Sequence, residues 1–205
     1  ERVKAAWTEL VTDDDIVIIA GDISWGLKLD EAMADLDWIH ELPGQKVLLR
    51  GNHDLWWCRI QHLRTLYDDM HFLQNDCYYV EPLNLAICGS RGWPTPDTVS
   101  YTEHDEKMYL REQGRLRNSL VEAKKKGASK IIMAMHYPPA KVEETEFTRI
   151  MQEYGVTQCV YGHLHGMVAW TNGIKGEHGG IDYKLVSLDY LGARPKLIYD
   201  SEQEM

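Results

Sequence analysis

The sequence predicts an α/β fold in which two packed β-sheets carry helices on their outer faces. Its first half alternates short apolar runs with segments of helical periodicity, a rhythm typical of parallel strands joined by crossover helices. Between residues 77 and 88 two predicted strands follow each other almost directly, and the chain after residue 166 is predicted to be all β. A length of 205 residues without repeats or low-complexity linkers fits a single domain spanning residues 1–205.

The elements of the first half follow from apolar spacing. The predicted helices place apolar residues three or four positions apart, and the predicted strands are short apolar runs that stop at Gly or near Pro-Gly. In chain order they are a helix over Glu1–Val11, a strand at Ile16–Ala20, a helix over Leu29–Leu42, a strand at Lys46–Leu49 and a helix from Trp56 to Tyr67.

The second half is predicted to begin and end with hairpins around an α/β segment. Thr102 is predicted to cap a long polar helix that ends at Gly127. The other elements are a hairpin of Cys77–Glu81 and Leu83–Cys88, a strand at Lys130–Met135, a helix over Phe147–Tyr154, a strand at Gln158–Tyr161, and tail strands at Met167–Asn172, Tyr183–Asp189 and Lys196–Asp200.

Composition excludes several classes of protein and partner. No apolar run approaches the roughly 18 residues of a membrane helix, so no membrane partner is expected. With a formal net charge of −10 the surface repels a phosphate backbone, so binding of extended nucleic acid is not expected. The four cysteines form no C-x-x-C pair and are interpreted as reduced thiols of a cytoplasmic protein, a disulfide being the alternative.

Polar side chains follow four of the predicted strands at the point where each strand ends. In open α/β sheets the carboxyl ends of strands converge on one crevice, so these segments are expected to meet. They are Ala20-Gly21-Asp22, Arg50-Gly51-Asn52-His53-Asp54, Ala134-Met135-His136-Tyr137-Pro138 and Tyr161-Gly162-His163-Leu164-His165.

The residue types in these segments indicate a site for divalent metal. The candidate ligands are oxygens and imidazoles without a thiolate, namely Asp22, Asn52, His136, His163 and His165. Such a set suits Mn, Fe, Zn, Co or Ni. His163 and His165 project to the same side of an extended segment and could reach two neighbouring ions, which the two oxygens of Asp22 could bridge. Taken alone, the segments of Asp22, Asn52 and His136 are more often a turn, a cap or a core histidine, and it is the joint occurrence of the four segments at strand ends that indicates a metal site.

The order of these motifs resembles that of the calcineurin-like metallophosphoesterases. The matching motifs, spread between Ile16 and His165, are Gly21-Asp22, Gly51-Asn52-His53-Asp54, His136 and Gly162-His163-Leu164-His165. The resemblance implies a four-layer α/β/β/α sandwich of two mixed sheets, with a binuclear centre of Mn, Fe, Zn or Ni at the sheet ends.

Roles for single residues also follow from the resemblance. It implies that Asp22 bridges the two ions and that His165 belongs to one of the two sites. Asn52, His136 and His163 would complete the other site.

The family motif Asp-x-His, which precedes the first helix, has no counterpart before Ile16. The first strand of the sandwich is therefore missing from the predicted elements. We expect a segment upstream of Glu1 that carries it. Ile23–Gly26 replaces the Asp-Arg-Gly of the protein Ser/Thr phosphatases, and Asp54 replaces their Glu, so the chain looks like a small bacterial-type phosphohydrolase.

The predicted activity is hydrolysis of a small phosphoester by a hydroxide that two metal ions activate. The resemblance implies that His53 is the general acid and that Asp54 orients its ring. Arg50 and Arg91 are candidate substrate-binding residues that would contact phosphate. The alternatives are a cyclic-nucleotide phosphodiesterase or nuclease with the same site, and a non-catalytic metal-binding scaffold. Trp25, in a loop expected to flank the crevice, would stack on a substrate ring or pack within the loop.

Overall fold

A computed structural model describes residues 1–204 and has the predicted α/β architecture. The helices are α1 (Arg2–Leu10), α2 (Leu29–His40), α3 (Ile60–Leu63), α4 (Glu103–Lys125) and α5 (Glu146–Glu153). The strands are β1 (Ile16–Ile19), β2 (Gln45–Leu49), β3 (Met70–Leu73), β4 (Cys77–Val80), β5 (Leu85–Ser90), β6 (Lys130–Met135), β7 (Gln158–Tyr161), β8 (Gly176–His178) and β9 (Ile181–Leu185).

These strands form two sheets. The smaller sheet has the order β1-β2-β3 and is wholly parallel. The larger sheet has the order β4-β5-β6-β7-β9-β8, in which the outer strands β4 and β8 are antiparallel to their neighbours and the four inner strands are parallel. The carboxyl ends of the parallel strands therefore meet at one edge of each sheet.

The alternation of side chains along the strands builds three apolar layers between four layers of secondary structure. Val47 and Leu49 of β2 face Ile87 and Val160 of the larger sheet. The intervening side chains face outward, where α2 covers the smaller sheet and α4 and α5 cover the larger one. This is the α/β/β/α sandwich that the resemblance implies.

Helix α4 begins with the predicted cap at Thr102. The Thr102 hydroxyl accepts a hydrogen bond from the Asp105 N–H, and the Asp105 carboxylate accepts one from the Thr102 N–H in return. This capping box satisfies two of the helix's unpaired donors. One face of α4 is buried against the larger sheet, and that face also carries Glu112 toward the carboxyl end of β5.

The first half differs from its prediction in two places. The helix predicted from Trp56 to Tyr67 contracts to α3, because the Trp56 Nε1 donates to the Asp54 carboxylate and holds the chain in a turn. Strand β3 was not predicted, since four residues interrupted by a histidine give too short an apolar pattern.

The tail also differs from its prediction. Only Tyr183–Asp189 overlaps a strand, β9, which ends at Leu185. Met167–Asn172 forms a loop and a 3₁₀ turn, and Lys196–Asp200 has no regular structure. Met167 and Val168 are 77% and 84% exposed, so these apolar residues have no sheet face to cover.

Two further sequence expectations concern the cysteines and the membrane. All four cysteines are free thiols, and three of them are buried. In residues 1–204, no helix combines the length and the apolar character needed to cross a membrane.

Candidate metal centre

Two glycines allow the loops that follow β1 and β2 to touch. Gly21 has a φ of +91°, and a Cβ there would lie 2.7 Å from the Gly51 Cα. A Cβ on Gly51 would lie 2.0 Å from the Asp22 Oδ1. Only glycine fits such a close approach of two backbones. The glycines thus bring Asp22 beside the segment that carries Asn52.

Four predicted ligands come together at this edge. Ligand atoms of Asp22, His136 and His163 all lie within 4.8 Å of one another. The Asn52 Oδ1 lies 2.6 Å from the His136 Nε2 and 2.9 Å from the His163 Nδ1. The Asp22 Oδ2 lies 3.5 Å from the His136 Nε2. One carboxylate, one amide oxygen and two imidazoles form a donor set that fits a borderline divalent ion.

The tautomer of His136 is set by its backbone partner. Its Nδ1 lies 2.8 Å from the Ala20 carbonyl oxygen, which can only accept a hydrogen bond, so Nδ1 carries the proton. The Nε2 that faces Asn52 is then the nitrogen with a free lone pair. Metal-binding histidines commonly have this arrangement. Burial lowers the pKa of His136, which favours the neutral form that a metal requires.

His163 is held in a similar state. Burial, and after it the neighbouring His136, lower the pKa of His163 to about 4. His163 has a φ of +66° and Asp22 a φ of +55°, so both adopt the left-handed conformation that non-glycine residues rarely adopt. Such strain often marks functional sites, where surrounding structure holds a side chain in a demanding position.

Asp54 has a structural position beneath the ligands. Its carboxylate is fully buried. It accepts five N–H hydrogen bonds, four from backbone amides and one from the Trp56 indole, at 2.7–3.2 Å. The amide donors belong to Asp22, Ile23, Ser24 and Gly51. This one side chain therefore fastens the loop after β1 to the loop after β2.

The predicted pairing of Asp54 with the His53 ring is not what the structure shows. His53 is exposed, and its backbone N–H donates to the Asp22 Oδ1 at 2.8 Å. Its ring lies against Trp25, with ring centroids 4.2 Å apart. The oxygens of Asp54 accept hydrogen bonds from backbone and indole donors, and the ring contact described for His53 is the one with Trp25.

His165 lies apart from the other predicted ligands. Its side chain is 60% exposed, and its Nδ1 lies 3.0 Å from the Asp189 Oδ1. The other Asp189 oxygen accepts the Gly166 N–H at 2.8 Å. Among the residues described, His165 does not join the group formed by Asp22, His136 and His163. The expectation that His165 and Asp22 share an ion stays a prediction.

The two candidate phosphate-binding arginines flank the centre. Arg50 directly precedes Gly51, and its Nε donates to the Asp54 carbonyl at 3.3 Å. The Arg91 carbonyl accepts the Tyr137 N–H at 2.9 Å, next to His136, and its guanidinium lies 4.6 Å from the centre of the Trp93 ring. Burial lowers the pKa of both arginines.

Sequence reasoning missed three residues around the centre. The Tyr137 ring lies 4.3 Å from the His163 ring, between centroids, and its position directly after His136 was the signal available. Asp189 and Glu112 gave no such signal. Asp189 sits in an irregular loop, and Glu112 belongs to a helix whose many charges look like a solvated surface.

Comparison with known proteins agrees with this geometry. The model of the calcineurin-like phosphoesterase family matches residues 2–167, which is most of the chain. The chain belongs to this family. It is also 49% identical over 49 residues to the Gene 66 protein of Mycobacterium phage L5. That stretch covers 24% of this chain and 23% of the phage protein, so this calcineurin-like phosphoesterase matches about a quarter of its phage relative.

Proposed function

We propose that this chain is a metal-dependent hydrolase of small phosphoesters. The observation that carries the proposal is the convergence of Asp22, Asn52, His136 and His163 at the carboxyl ends of four strands, together with the family of the chain. The donors are neutral imidazoles and oxygens, and the loops that carry them are tied together beneath the site by Asp54.

Asp22, Asn52, His136 and His163 would hold one divalent ion. Asp22 and His165 are the residues available to a second ion. Bound divalent ions supply Lewis-acid stabilisation of phosphoryl charge and make water more acidic. Four free thiols support a reducing, cytoplasmic setting.

His53 is proposed as the general acid that protonates the leaving oxygen. It is exposed beside the ligand group and is tied to it through its backbone N–H bond to Asp22. A positioned general acid is typically worth about 10²–10⁴-fold in rate. The contact with Trp25 restricts the ring and keeps it at the mouth of the site.

Arg50 and Arg91 are proposed to contact the phosphoryl oxygens. Both follow strand ends directly beside ligand segments, and both present guanidinium N–H groups that have no carboxylate partner in the described chain. A guanidinium fork matches the spacing of phosphate oxygens. These positive charges would offset the negative charge that the substrate brings.

Hydrolysis of two simple substrates tests the proposal. Purified protein with added Mn²⁺ should hydrolyse p-nitrophenyl phosphate or bis-p-nitrophenyl phosphate, and His136→Ala should abolish the activity. Preference for the monoester would indicate a phosphatase, and preference for the diester a phosphodiesterase. Metal binding without turnover of either ester would overturn the proposal in favour of a non-catalytic scaffold.

A further inference from the structure

A small cavity beside the candidate metal centre is lined by arginines and not by metal ligands. Its volume is about 30 Å³. Arg50, Ser90 and Arg91 line it from the ends of β2 and β5, and Glu112 and Arg115 line it from α4. Of the described residues, none of the four proposed ligands of the first ion lines this cavity. It is therefore a neighbouring compartment and not part of the metal site itself.

Positive charge exceeds negative charge around this cavity. Glu112 is the one carboxylate among the residues that line it, and it is fully buried. The Glu112 carboxylate accepts hydrogen bonds from the Arg115 Nη1 at 2.9 Å and from the Ser90 Oγ at 3.1 Å. In the part of the chain that the structure describes, neither Arg50 nor Arg91 has a carboxylate within ion-pair distance. Although the whole chain has a formal net charge of −10, the guanidinium groups of Arg50 and Arg91 line this cavity without a carboxylate partner.

The two unpaired guanidinium groups have donors to spare. The Arg91 Nε is buried and has no hydrogen-bond partner in residues 1–204. The Trp93 ring supports the Arg91 guanidinium at 4.6 Å. The Arg50 Nε donates to the Asp54 carbonyl, and its terminal amino groups make no hydrogen bond among the described residues. A buried donor without a partner is costly, so these groups favour a ligand with several acceptor oxygens.

The size of the cavity limits that ligand to a small anion. A water molecule needs roughly 10–15 Å³ by the same measure, so the cavity has room for about two or three water-sized groups. That room suits the oxygens of one phosphoryl group and excludes a base or a sugar. Arg50 and Arg91 adjoin both the metal ligands and this cavity, so an anion held here would lie next to a phosphoryl group at the metal centre.

We propose that this cavity binds a second phosphoryl group of the substrate, so that the preferred substrates carry a diphosphate group. The inference rests on the proposed function, since it concerns the same active site. Arg115 would then bind the second phosphoryl group and so determine the specificity for substrates with a diphosphate. The exposed remainder of the substrate would extend away from the cavity.

Binding of pyrophosphate to the metal-free protein tests this assignment directly. The full chain, treated with a chelator, is titrated with pyrophosphate by isothermal calorimetry. The wild type should bind at a 1:1 ratio, and Arg115→Gln should weaken binding at least tenfold. Arg117→Gln is the matched control, because Arg117 has a similar exposure on the same helix and pairs with Glu146 and Glu153 instead. It should bind within twofold of the wild type.

A second variant is expected to change the affinity for pyrophosphate in the opposite direction, which a misfolded protein would not do. Glu112→Gln removes the carboxylate that competes for the arginines, so pyrophosphate should bind more tightly to it than to the wild type. Arg115→Lys, which keeps the charge but loses the fork, replaces Arg115→Gln if the latter does not fold. No measurable binding by the wild type, or equal binding by the wild type and the Arg115 variant, would overturn the assignment.

Turnover separates this inference from the proposed function. With Mn²⁺ present, the ratio of kcat/KM for adenosine diphosphate to that for p-nitrophenyl phosphate should fall at least tenfold in Arg115→Gln. An unchanged ratio in an active variant would overturn the second phosphoryl site alone. Pyrophosphate binding that depends on Arg115, in a protein that hydrolyses neither compound, would overturn the proposed function alone.

Discussion

The indole of Trp25 lies against the imidazole of His53, with ring centroids 4.2 Å apart and the planes inclined by 37°. Trp25 is nevertheless 76% exposed, so the pair stands at the surface beside the metal ligands. A tryptophan this exposed contributes little to the core. The contact instead restricts the ring that we propose as the general acid.

The first prediction concerns the leaving group. If His53 protonates the leaving oxygen, His53→Ala should lower kcat about 10²–10⁴-fold for a phenyl or alkyl ester. The loss should be much smaller for p-nitrophenyl phosphate, because p-nitrophenolate leaves without a proton. Steady-state kinetics across a series of leaving groups measures this. An equal loss with every leaving group would contradict the role of general acid.

The second prediction concerns Trp25 itself. Aromatic pairs contribute about 0.5–1.5 kcal/mol beyond their buried area, so Trp25→Ala should lower kcat/KM roughly 2–10-fold. The bound metal, measured by elemental analysis, should not change. Trp38→Ala is the control, because Trp38 is a partly exposed tryptophan on α2. A kinetic loss of the same size in Trp38→Ala would show that the effect is not specific to the contact with His53.

The third prediction concerns stability and Asp54. Hydrogen bonds to charged groups contribute about 1.5–3 kcal/mol each, and Asp54→Asn weakens several of the five at once. We expect a loss of at least about 3 kcal/mol in the free energy of unfolding. Trp56→Phe removes one of the five donors and should cost less. Urea unfolding of the metal-free proteins measures both, and equal losses would contradict the bracing role of Asp54.

Much of the centre could be predicted from the sequence because geometry in parallel sheets is regular. Asp22 and His136 are more than a hundred residues apart, yet Asp22 comes shortly after the end of β1 and His136 directly after the end of β6, and parallel strands end at a common edge. The partners of Asp54 could not be predicted, because four of its five donors are backbone amides whose positions depend on loop conformation.

The pairing of His165 with Asp189 and the structure of the tail could not be predicted from the sequence either. Asp189 lies beyond the end of β9 in a loop without apolar periodicity. Lys196–Asp200 contains Ile198 and Tyr199, residue types that favour strands, but no strand of the larger sheet pairs with it. Strand propensity describes fit to a sheet surface, so a favourable pattern without a neighbouring strand forms none.

The fourth prediction concerns pH. The pKa of His163 is lowered from 6.5 to about 4 in the folded protein, chiefly by burial. Between these values the unfolded chain binds more protons than the folded chain, so the free energy of unfolding falls as pH decreases from 6.5 towards 4. Above pH 6.5 the His163 ring is neutral in both the folded and the unfolded state, so it does not make the free energy of unfolding depend on pH.

Urea unfolding of the metal-free protein across this pH range measures the effect. His163→Gln removes the group, so its free energy of unfolding should decline less steeply than that of the wild type between pH 6.5 and pH 4. Parallel curves for the two proteins would show that His163 titrates normally in the folded state.

The fifth prediction distinguishes the roles of His136 and His165 in metal binding. The His136 Nε2 faces Asn52 and Asp22 with a free lone pair, whereas His165 is exposed and paired with Asp189. His136→Ala should therefore weaken binding of the tightest Mn²⁺ ion by more than the roughly 10–100-fold typical of residues that only support a ligand. His165→Ala should leave that ion in place and remove a weaker second ion where one is bound.

Equilibrium dialysis followed by elemental analysis gives both affinities and stoichiometries. Asp189→Asn serves as a control that removes the partner of His165 but no proposed ligand. If His165→Ala and His136→Ala lost the tight ion equally, His165 would be a ligand of the same ion, and its pairing with Asp189 would have to break when metal binds.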